Sequence, residues 1–483
     1  MRGWKLVYLD RIRQQYLKDR AAHWNKVAVN LRYKKLGSYY KKRLARIYSL
    51  CIPPGARVLE LGCAEGDLLN ALKPAYGVGI DFSDEMIKLA KRKYPKLNFI
   101  ACDAEHLNID DTFDFIILSD IVNDLWDVQE VFTQIKKVCG KSTRIILNLY
   151  SHLWEWPLLL AQKFGLSRPN LPQNWLTRED ITNLLYLADF EVIRFWQEIL
   201  YPLSTPLVSS FANCFLVKMF PFNMLALTNF AIARPRPNQG PVMDNPTVSV
   251  IVPARNESGN IREVLSRIPD MGKETEIIFV EGHSKDDTSA VIEKTIAEFS
   301  NRKCKYLRQT GKGKGDAVRL GFSHASGEIL MILDADISVA PEDLPKFYET
   351  LVLNKAEFMN GVRLVYPIQK HTMRFLNLVA NKAFTVIFSW LLGQHMKDTL
   401  CGTKVLWHRD YIKIAENRAY FGDFDPFGDF DLLFGAAKLN LKIADLPVRY
   451  YERKYGKTNI RRWRHGMLLI EMMLFAARKI KFI

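Results

Sequence analysis

The stretch RQTGKGKGDAVRLGFSHASGEILMILDADIS, Arg308–Ser338, sets three features in order. A glycine- and lysine-rich loop around Lys314 opens a helical pattern, and an apolar run then forms a buried strand. That strand delivers two carboxylates on alternate residues, Asp334 and Asp336. Taken alone, such a triplet is usually a strand running out into a solvated turn, here before a helix capped at Pro341-Glu342-Asp343. The sharper reading is a metal hook, because two acids at the C-terminal edge of a sheet can hold Mg²⁺ or Mn²⁺ against a diphosphate. The rest of the chain decides between them.

At 483 residues the chain exceeds one core and suits two or three domains. A formal charge of +16 points to an anionic partner such as a phosphate or a lipid surface. The excess is concentrated at the start, where the first fifty residues hold fourteen Lys or Arg against two Asp. That helix-like stretch reads either as a solvated basic helix or as one facing a membrane surface or a phosphate. Seven cysteines without CxxC pairs or zinc spacing suit a reducing cytosol. No apolar leader opens the chain and no run reaches about eighteen apolar residues, so a cytoplasmic location is expected.

The segment ARPRPNQGPVMDNPTVSV (Ala233–Val250) concentrates Pro, Gly and Asn between two apolar strands. It divides the chain into residues 1–233, a linker at 234–246, and residues 247–483. On both sides short β-branched runs alternate with helical patterns, which means two α/β units in series. In the first, ARVLELGCAEGDLLNAL (Ala56–Leu72) is a strand, a glycine-bearing turn and a helix. The next strand, YGVGID, ends in Asp81, nineteen residues after Gly62. Small residues let backbone approach a ligand, and an acid on the next strand accepts bonds from ribose hydroxyls.

The spacing Gly62-x-Ala64-x-Gly66 with Glu60 before it resembles motif I of class I S-adenosylmethionine-dependent methyltransferases. CDAEHL (Cys102–Leu107), FDFIILSDIVNDLWD (Phe113–Asp127) and NWLTREDITNLLYLADFEVI (Asn174–Ile193) extend the resemblance over residues 22–233. It implies a Rossmann-like fold with S-adenosylmethionine bound by Glu60, Gly62, Gly66, Asp81 and Asp103. Ala64 departs from the glycine of many members, and Ser119-Asp120 replaces the signature of amino-methylating DNA enzymes. The apolar stretch Leu203–Leu225 reads as a packed helical insertion or as a hairpin dipping into a membrane.

In the second unit, TVSVIVPARNESGNIREVLSRI (Thr247–Ile268) and EIIFVEGHSKDDTSAVIEKTI (Glu276–Ile296) are successive strand-turn-helix elements. With Arg308–Ser338 they resemble a family 2 glycosyltransferase of the GT-A fold, in the branch of dolichol- or polyprenol-phosphate sugar synthases. The resemblance implies a nucleoside-diphosphate sugar donor and a metal site at Asp334 and Asp336, with Asp336 catalytic and Lys314 assisting the diphosphate. Pro253, Arg255 and Glu257 fall on the family's nucleoside-contacting turn. Glu281-Gly282 stands where the family has two aspartates, so the base is left open between guanine and uracil. Asp429 or Asp431 falls where the family keeps a base or second metal ligand. Arg453, Gly456, Lys457 and Thr458 match a loop that folds over the donor and acceptor phosphates, and arginine suits such a site because its planar fork donates two hydrogen bonds. Nucleic acid is not expected as a partner, since no nucleic-acid motif accompanies these arginines.

The run Met373–Gly393 is long enough to span a bilayer but carries Arg374, Asn377, Asn381 and Lys382. It reads as an interfacial helix, with those residues on a wet face opposite Phe375, Leu378, Val379, Val386 and Trp390. The C-terminal RWRHGMLLIEMMLFAARKIKFI (Arg462–Ile483) repeats the theme. The combined expectation is a metal-dependent inverting transferase acting on polyprenyl phosphate, peripheral at the inner membrane face, joined to a methyltransferase. The alternative keeps the donor motifs but gives a soluble or glycan acceptor and a non-catalytic first domain.

Overall fold

The computed structural model describes residues 2–29, 38–165, 167, 171–237, 245–363, 365–366, 375–417, 428–453, 455 and 462–482. The chain divides into two compact units, one running to Arg236 and the other from Pro237.

The first unit is built on seven strands: β1 (Arg57–Leu61), β2 (Tyr76–Asp81), β3 (Asn98–Ala101), β4 (Phe113–Ser119), β5 (Cys139–Tyr150), β6 (Phe190–Glu198) and β7 (Thr228–Pro235). They lie in the order β3-β2-β1-β4-β5-β7-β6, and only β7 runs antiparallel to its neighbours. The order reverses between β1 and β4, which both run parallel, so the crevice at their C-terminal ends is the topological switch point. Near-continuous apolar runs such as Phe115–Leu118 and Ile145–Leu147 suit strands covered on both faces.

The second unit also has seven strands: β8 (Val248–Ala254), β9 (Thr275–Glu281), β10 (Lys303–Arg308), β11 (Ile329–Ile332), β12 (Phe358–Val362), β13 (Lys404–Trp407) and β14 (Ile443–Pro447). Their order is β10-β9-β8-β11-β13-β12-β14, with β13 antiparallel to β11 and β12. Here the order reverses between β8 and β11, and Asp334 and Asp336 follow β11. The strand stops before the acids, not at them. Leu333 still donates its N–H to Ile251 O at 3.0 Å, but Ile337 has φ 52° and donates back to Asp334 O. Both carboxylates therefore sit in a tight turn at the strand end.

One expectation is corrected. The helix Phe375–Leu392 buries Asn381, whose Nδ2 donates to Asp398 Oδ1 at 3.0 Å, while Val386, Ile387 and Trp390 stand exposed. The polar residue faces inward because a buried acid there needs a donor. Arg374 lies outside the described residues, as do the side chains of Phe375, Asn377, Leu378 and Val379. The basic N-terminal stretch forms helices Arg2–Val29 and Ser38–Cys51, and several of its cations are used within the first unit. Arg13 lies 2.9 Å from Glu105, and Arg20 lies 2.7 Å from Asp124.

The Leu203–Leu225 stretch is a short helix, Val208–Cys214, and two 3₁₀ turns. Buried Asn213 ties it down by accepting from the N–H groups of Leu200 and Tyr201, while Leu207 and Phe220 are 85% and 80% exposed. No described helix is long and apolar enough to cross a membrane.

Candidate active sites

In the first unit, β1 ends in Glu60-Leu61 and the chain turns at Gly62 and Gly66 with φ 71° and 76°. No side chain fits either glycine: a Cβ at Gly66 would stand 2.6 Å from Phe99 Cζ, and one at Gly62 would stand 2.8 Å from Ile121 Cδ1. Asp81 ends β2 and reaches back, accepting the Ala64 N–H at 3.0 Å and the Ser83 N–H at 2.9 Å. Burial pushes its carboxyl up to about 6, against the pull of those two N–H groups. Glu60 is also buried and pushed well above the usual carboxylate range by that burial. Its Oε2 has no hydrogen-bond partner among the described residues.

A buried acid with an orphaned oxygen, beside a turn too tight for side chains, fits a ligand rich in amino and hydroxyl donors, as S-adenosylmethionine is. Asp103, after β3, accepts the Glu105 N–H at 3.0 Å and lies 3.5 Å from Arg13. The N-terminal helix borders the same edge: Trp24 Nε1 donates to Asp124 at 2.8 Å, and Ser83 Oγ donates to Asn25 Oδ1 at 2.6 Å. Sequence reading missed this contribution, because nothing local marks which face of a basic helix meets those acids.

In the second unit three strand ends meet. After β8, Asn256 accepts the Lys285 N–H at 2.7 Å and gives its own N–H to Ser284 Oγ, tying this turn to the one after β9. Pro253 lies on β8, and Arg255 is exposed at its end. Glu281 ends β9 and accepts the Ser284 N–H. Where the family places a second aspartate, a Cβ on Gly282 would meet Gln309 Oε1 at 2.8 Å, so the glutamine side chain fills that space.

Lys314 Nζ lies 2.6 Å from Asp334 Oδ1, and Arg453 lies 2.6 Å from Asp336 Oδ2 and 3.8 Å from Glu257. Burial opposes ionisation of Asp334, but Lys314 outweighs it and holds the carboxyl below its usual range. Glu257 is pushed up to about 7, chiefly by burial and further by the Asp336 charge. Asp429 begins the helix Asp429–Lys438, buried, and its Oδ1 has no hydrogen-bond partner among the described residues. Burial raises its pKa against the opposing field of Lys314 and Lys404. Asp431, two residues on in the same helix, is also buried.

The structure thus gathers Glu257, Lys314, Asp334, Asp336 and Arg453, with Asp429 within electrostatic reach. Lys457, Gly456 and Thr458 lie outside the described residues. Among the described residues no three His, Cys, Asp or Glu side chains stand together as a metal cage. Two carboxylates with diphosphate oxygens and water completing the shell do suit Mg²⁺, which seldom takes an all-protein cage.

Three residues that sequence reading missed shape this site. Tyr455 covers Gly259, where a Cβ would come 2.6 Å from its ring, and its hydroxyl lies 3.1 Å from Ser258 Oγ. Gly402 lies so close to Asp334 and Lys314 that a Cβ would overlap both. Lys404 is fully buried and donates to Cys401 O. Gly402 and Lys404 stand in the run KDTLCGTKVLWHRD (Lys397–Asp410), but nothing local sets them apart.

The two sheet orders define a class I methyltransferase-like fold followed by a GT-A-like fold. Residues 52–200 match the Methyltransferase domain model, and residues 249–412 match Glycosyl transferase family 2. The chain therefore carries a methyltransferase domain and a family 2 glycosyltransferase domain. It is 31% identical over 216 residues to the undecaprenyl-phosphate 4-deoxy-4-formamido-L-arabinose transferase of Shewanella sediminis, covering 44% of this chain and 61% of that protein. It is 36% identical over 108 residues to the dolichol-phosphate mannosyltransferase of Saccharomyces cerevisiae, covering 21% and 40%. The chain thus spans less than two thirds of these relatives. Among solved structures, a glucosyl-3-phosphoglycerate synthase from Mycobacterium tuberculosis aligns at 17% identity and TM-score 0.37, covering 49% of this chain and 80% of that one. An N-methyltransferase from Bradyrhizobium japonicum, bound to S-adenosyl-L-homocysteine, aligns at 13% and 0.32, covering 44% and 97%.

Proposed function

We propose that residues 247–483 move a sugar from a nucleoside-diphosphate sugar to polyprenyl phosphate, with inversion at the anomeric carbon. In this reading residues 1–233 form a methyltransferase domain that binds S-adenosylmethionine, and residues 234–246 link the two. The observation that carries the reading is the paired arrangement Lys314–Asp334 and Arg453–Asp336 at one strand end. The polyprenyl-phosphate acceptors in the names of the relatives support the acceptor class.

A departing nucleoside diphosphate gathers negative charge, and fixed positive groups at that point lower the barrier. Lys314 and Arg453 are placed to meet the diphosphate, Arg453 with a two-pronged fork. Asp334 and Asp336 would hold Mg²⁺ or Mn²⁺, which supplies further charge at the diphosphate. The acceptor phosphate is already an anion at neutral pH, so its oxygen attacks without a base. Its new bond to the anomeric carbon forms as the bond to the diphosphate oxygen breaks, and the electron pair leaves with the nucleotide. Asp429, buried and beside Lys314 in the electrostatic sense, then serves to hold that lysine's charge in place.

Exposed apolar residues support a peripheral seat at the cytoplasmic membrane face. Val386, Ile387 and Trp390 stand out from one helix, and Met467, Ile470 and Leu474 stand out at helical spacing from Arg462–Ala476. Lys481 Nζ donates to Trp390 O at 2.8 Å, bringing a basic group to that apolar edge.

The test is incubation of purified protein with Mg²⁺ or Mn²⁺, polyprenyl phosphate and labelled UDP- and GDP-sugars, followed by organic extraction. Label in the organic phase that disappears with Asp336→Ala is the expected result. Label found only on water-soluble acceptors would replace the lipid acceptor with a soluble or glycan one.

A further inference from the structure

The methyltransferase site has a second half that the cofactor does not account for. β4 ends at Ser119, and the next residue, Asp120, is half-buried with φ 58°. Its Oδ1 accepts from Tyr40 Oη at 2.7 Å and from Asn148 Nδ2 at 2.5 Å. Asn148 is fully buried opposite Ser119 on β5, and its own Oδ1 accepts from Tyr48 Oη at 2.7 Å. Tyr40 from the helix Ser38–Cys51 and Asn148 from β5 thus orient one carboxylate, with Tyr48 of the same helix fixing the amide. The following residue, Ile121, is the one against which Gly62 packs. Asp120 therefore stands at the switch point, next to the glycine turn but on the β4 side of it.

Resting on the methyltransferase reading above, we infer that Asp120 is the proton-accepting group of the methyl-acceptor site, and that the acceptor is a hydroxyl of a neutral, sugar-like molecule. The chemistry follows from the charge. A carboxylate beside the reacting atom repels a phosphate or carboxylate acceptor. A neutral amine can attack through its lone pair before losing a proton, so it needs no such group at that instant. A hydroxyl does: its oxygen forms the new O–CH₃ bond, the S–CH₃ bond breaks with its electrons going to sulfur, and the hydroxyl proton passes to Asp120. The Tyr40 ring that touches the carboxylate packs against Tyr150, 6.1 Å away and tilted by 31°, so the donor is held in place by an aromatic neighbour. Burial, with the nearby Asp120 charge, pushes the Tyr40 phenol well above its ordinary value, so Tyr40 remains a donor to the carboxylate.

The experiment uses the full chain, methyl-labelled S-adenosylmethionine, and three probes: a neutral octyl glycoside, octyl glucuronide and an octyl aminoglycoside. Products are identified by mass spectrometry, and cofactor binding is followed separately by calorimetry. The expected result is a methyl ether on the neutral glycoside, with kcat lowered about 100-fold or more in Asp120→Asn and cofactor affinity unchanged. Tyr40→Phe, which keeps the carboxylate, is expected to lower kcat about three- to tenfold, again with unchanged cofactor affinity. Methylation on nitrogen or on the carboxylate would overturn the inference. So would the absence of any methyl ether from a wild-type protein that binds cofactor, full activity in Asp120→Asn, or a loss of cofactor affinity in both variants. Failure of the wild-type protein to bind cofactor would instead strike the methyltransferase reading itself.

Discussion

Arg453 lies 2.6 Å from Asp336, so an ion pair joins the C-terminal loop to the acid-bearing turn after β11, beside the Tyr451 N–H that donates to Ser338 O at 3.0 Å. Side-chain exposure is 33% for the arginine and 7% for the aspartate, so the acid is poorly solvated and depends on its partner. In the proposed reaction the same guanidinium meets the diphosphate. Arg453→Lys keeps the charge but loses the fork, and sugar transfer is expected to fall about tenfold or more. Asp336→Asn is expected to cost about 10²–10³ in kcat. Steady-state transfer assays on both variants check this, with circular dichroism showing that the fold is retained.

Gly402→Ala tests how tightly the Lys314–Asp334 pair is enclosed. The added methyl would overlap both the carboxylate and the amine. The expected outcome is near-complete loss of sugar transfer with little change in cofactor binding to the first unit. Activity close to wild type would mean that the pair is not needed where it stands.

The pH dependence of stability follows from Glu257. Its folded value of about 7 lies above the ordinary unfolded value of about 4.3. Between those values the folded state keeps a proton that the unfolded state has released. Stability from this group is therefore full below about pH 4 and declines as pH rises through about 7. Asp81, at about 6, acts in the same direction in the first unit. Thermal unfolding from pH 4.5 to 8 is expected to show a falling Tm, with a shallower fall in Glu257→Gln.

If the first unit binds S-adenosylmethionine as proposed, Gly66 has to remain a glycine. A Cβ there would press into Phe99, and φ 76° disfavours any L side chain. Wild-type protein with S-adenosylmethionine at 100 times its Kd is expected to gain about 2.7 kcal/mol of stability. Gly66→Ala is expected to lose that gain, as read by the thermal shift. A full shift in the variant would place the cofactor elsewhere.

The proposed membrane seat rests on the exposed apolar face of the second unit. Val386→Glu combined with Trp390→Glu introduces two charges there and is expected to abolish sedimentation with vesicles of phosphatidylcholine and phosphatidylglycerol. Unchanged sedimentation would assign the contact to other residues.

Much of the scaffold was legible because its signals are local. Strand-turn-helix units announce themselves through an apolar run, a glycine-bearing turn and a periodic helix, as at Val58–Leu72 and at Val248–Arg267. The acids Asp81, Asp334 and Asp336 are legible because each lies at or just beyond the end of such a strand. The face of the Phe375–Leu392 helix was misjudged for a related reason: Asn381 looks solvent-seeking until Asp398, itself paired with Arg363 at 2.8 Å, appears as its partner. The N-terminal cations were likewise readable as charge but not as partners of Glu105 and Asp124.

Two α/β units in series, their glycine turns and the acids at their strand ends are written locally along the chain, because hydrophobic periodicity and turn chemistry act over a few residues. That Arg453 meets Asp336, that Tyr455 covers Gly259, and that Tyr40 and Asn148 converge on Asp120 emerges only in the folded molecule. Those pairings join residues far apart in the chain. Their energies depend on distances and burial that exist only once the strands have been ordered into a sheet.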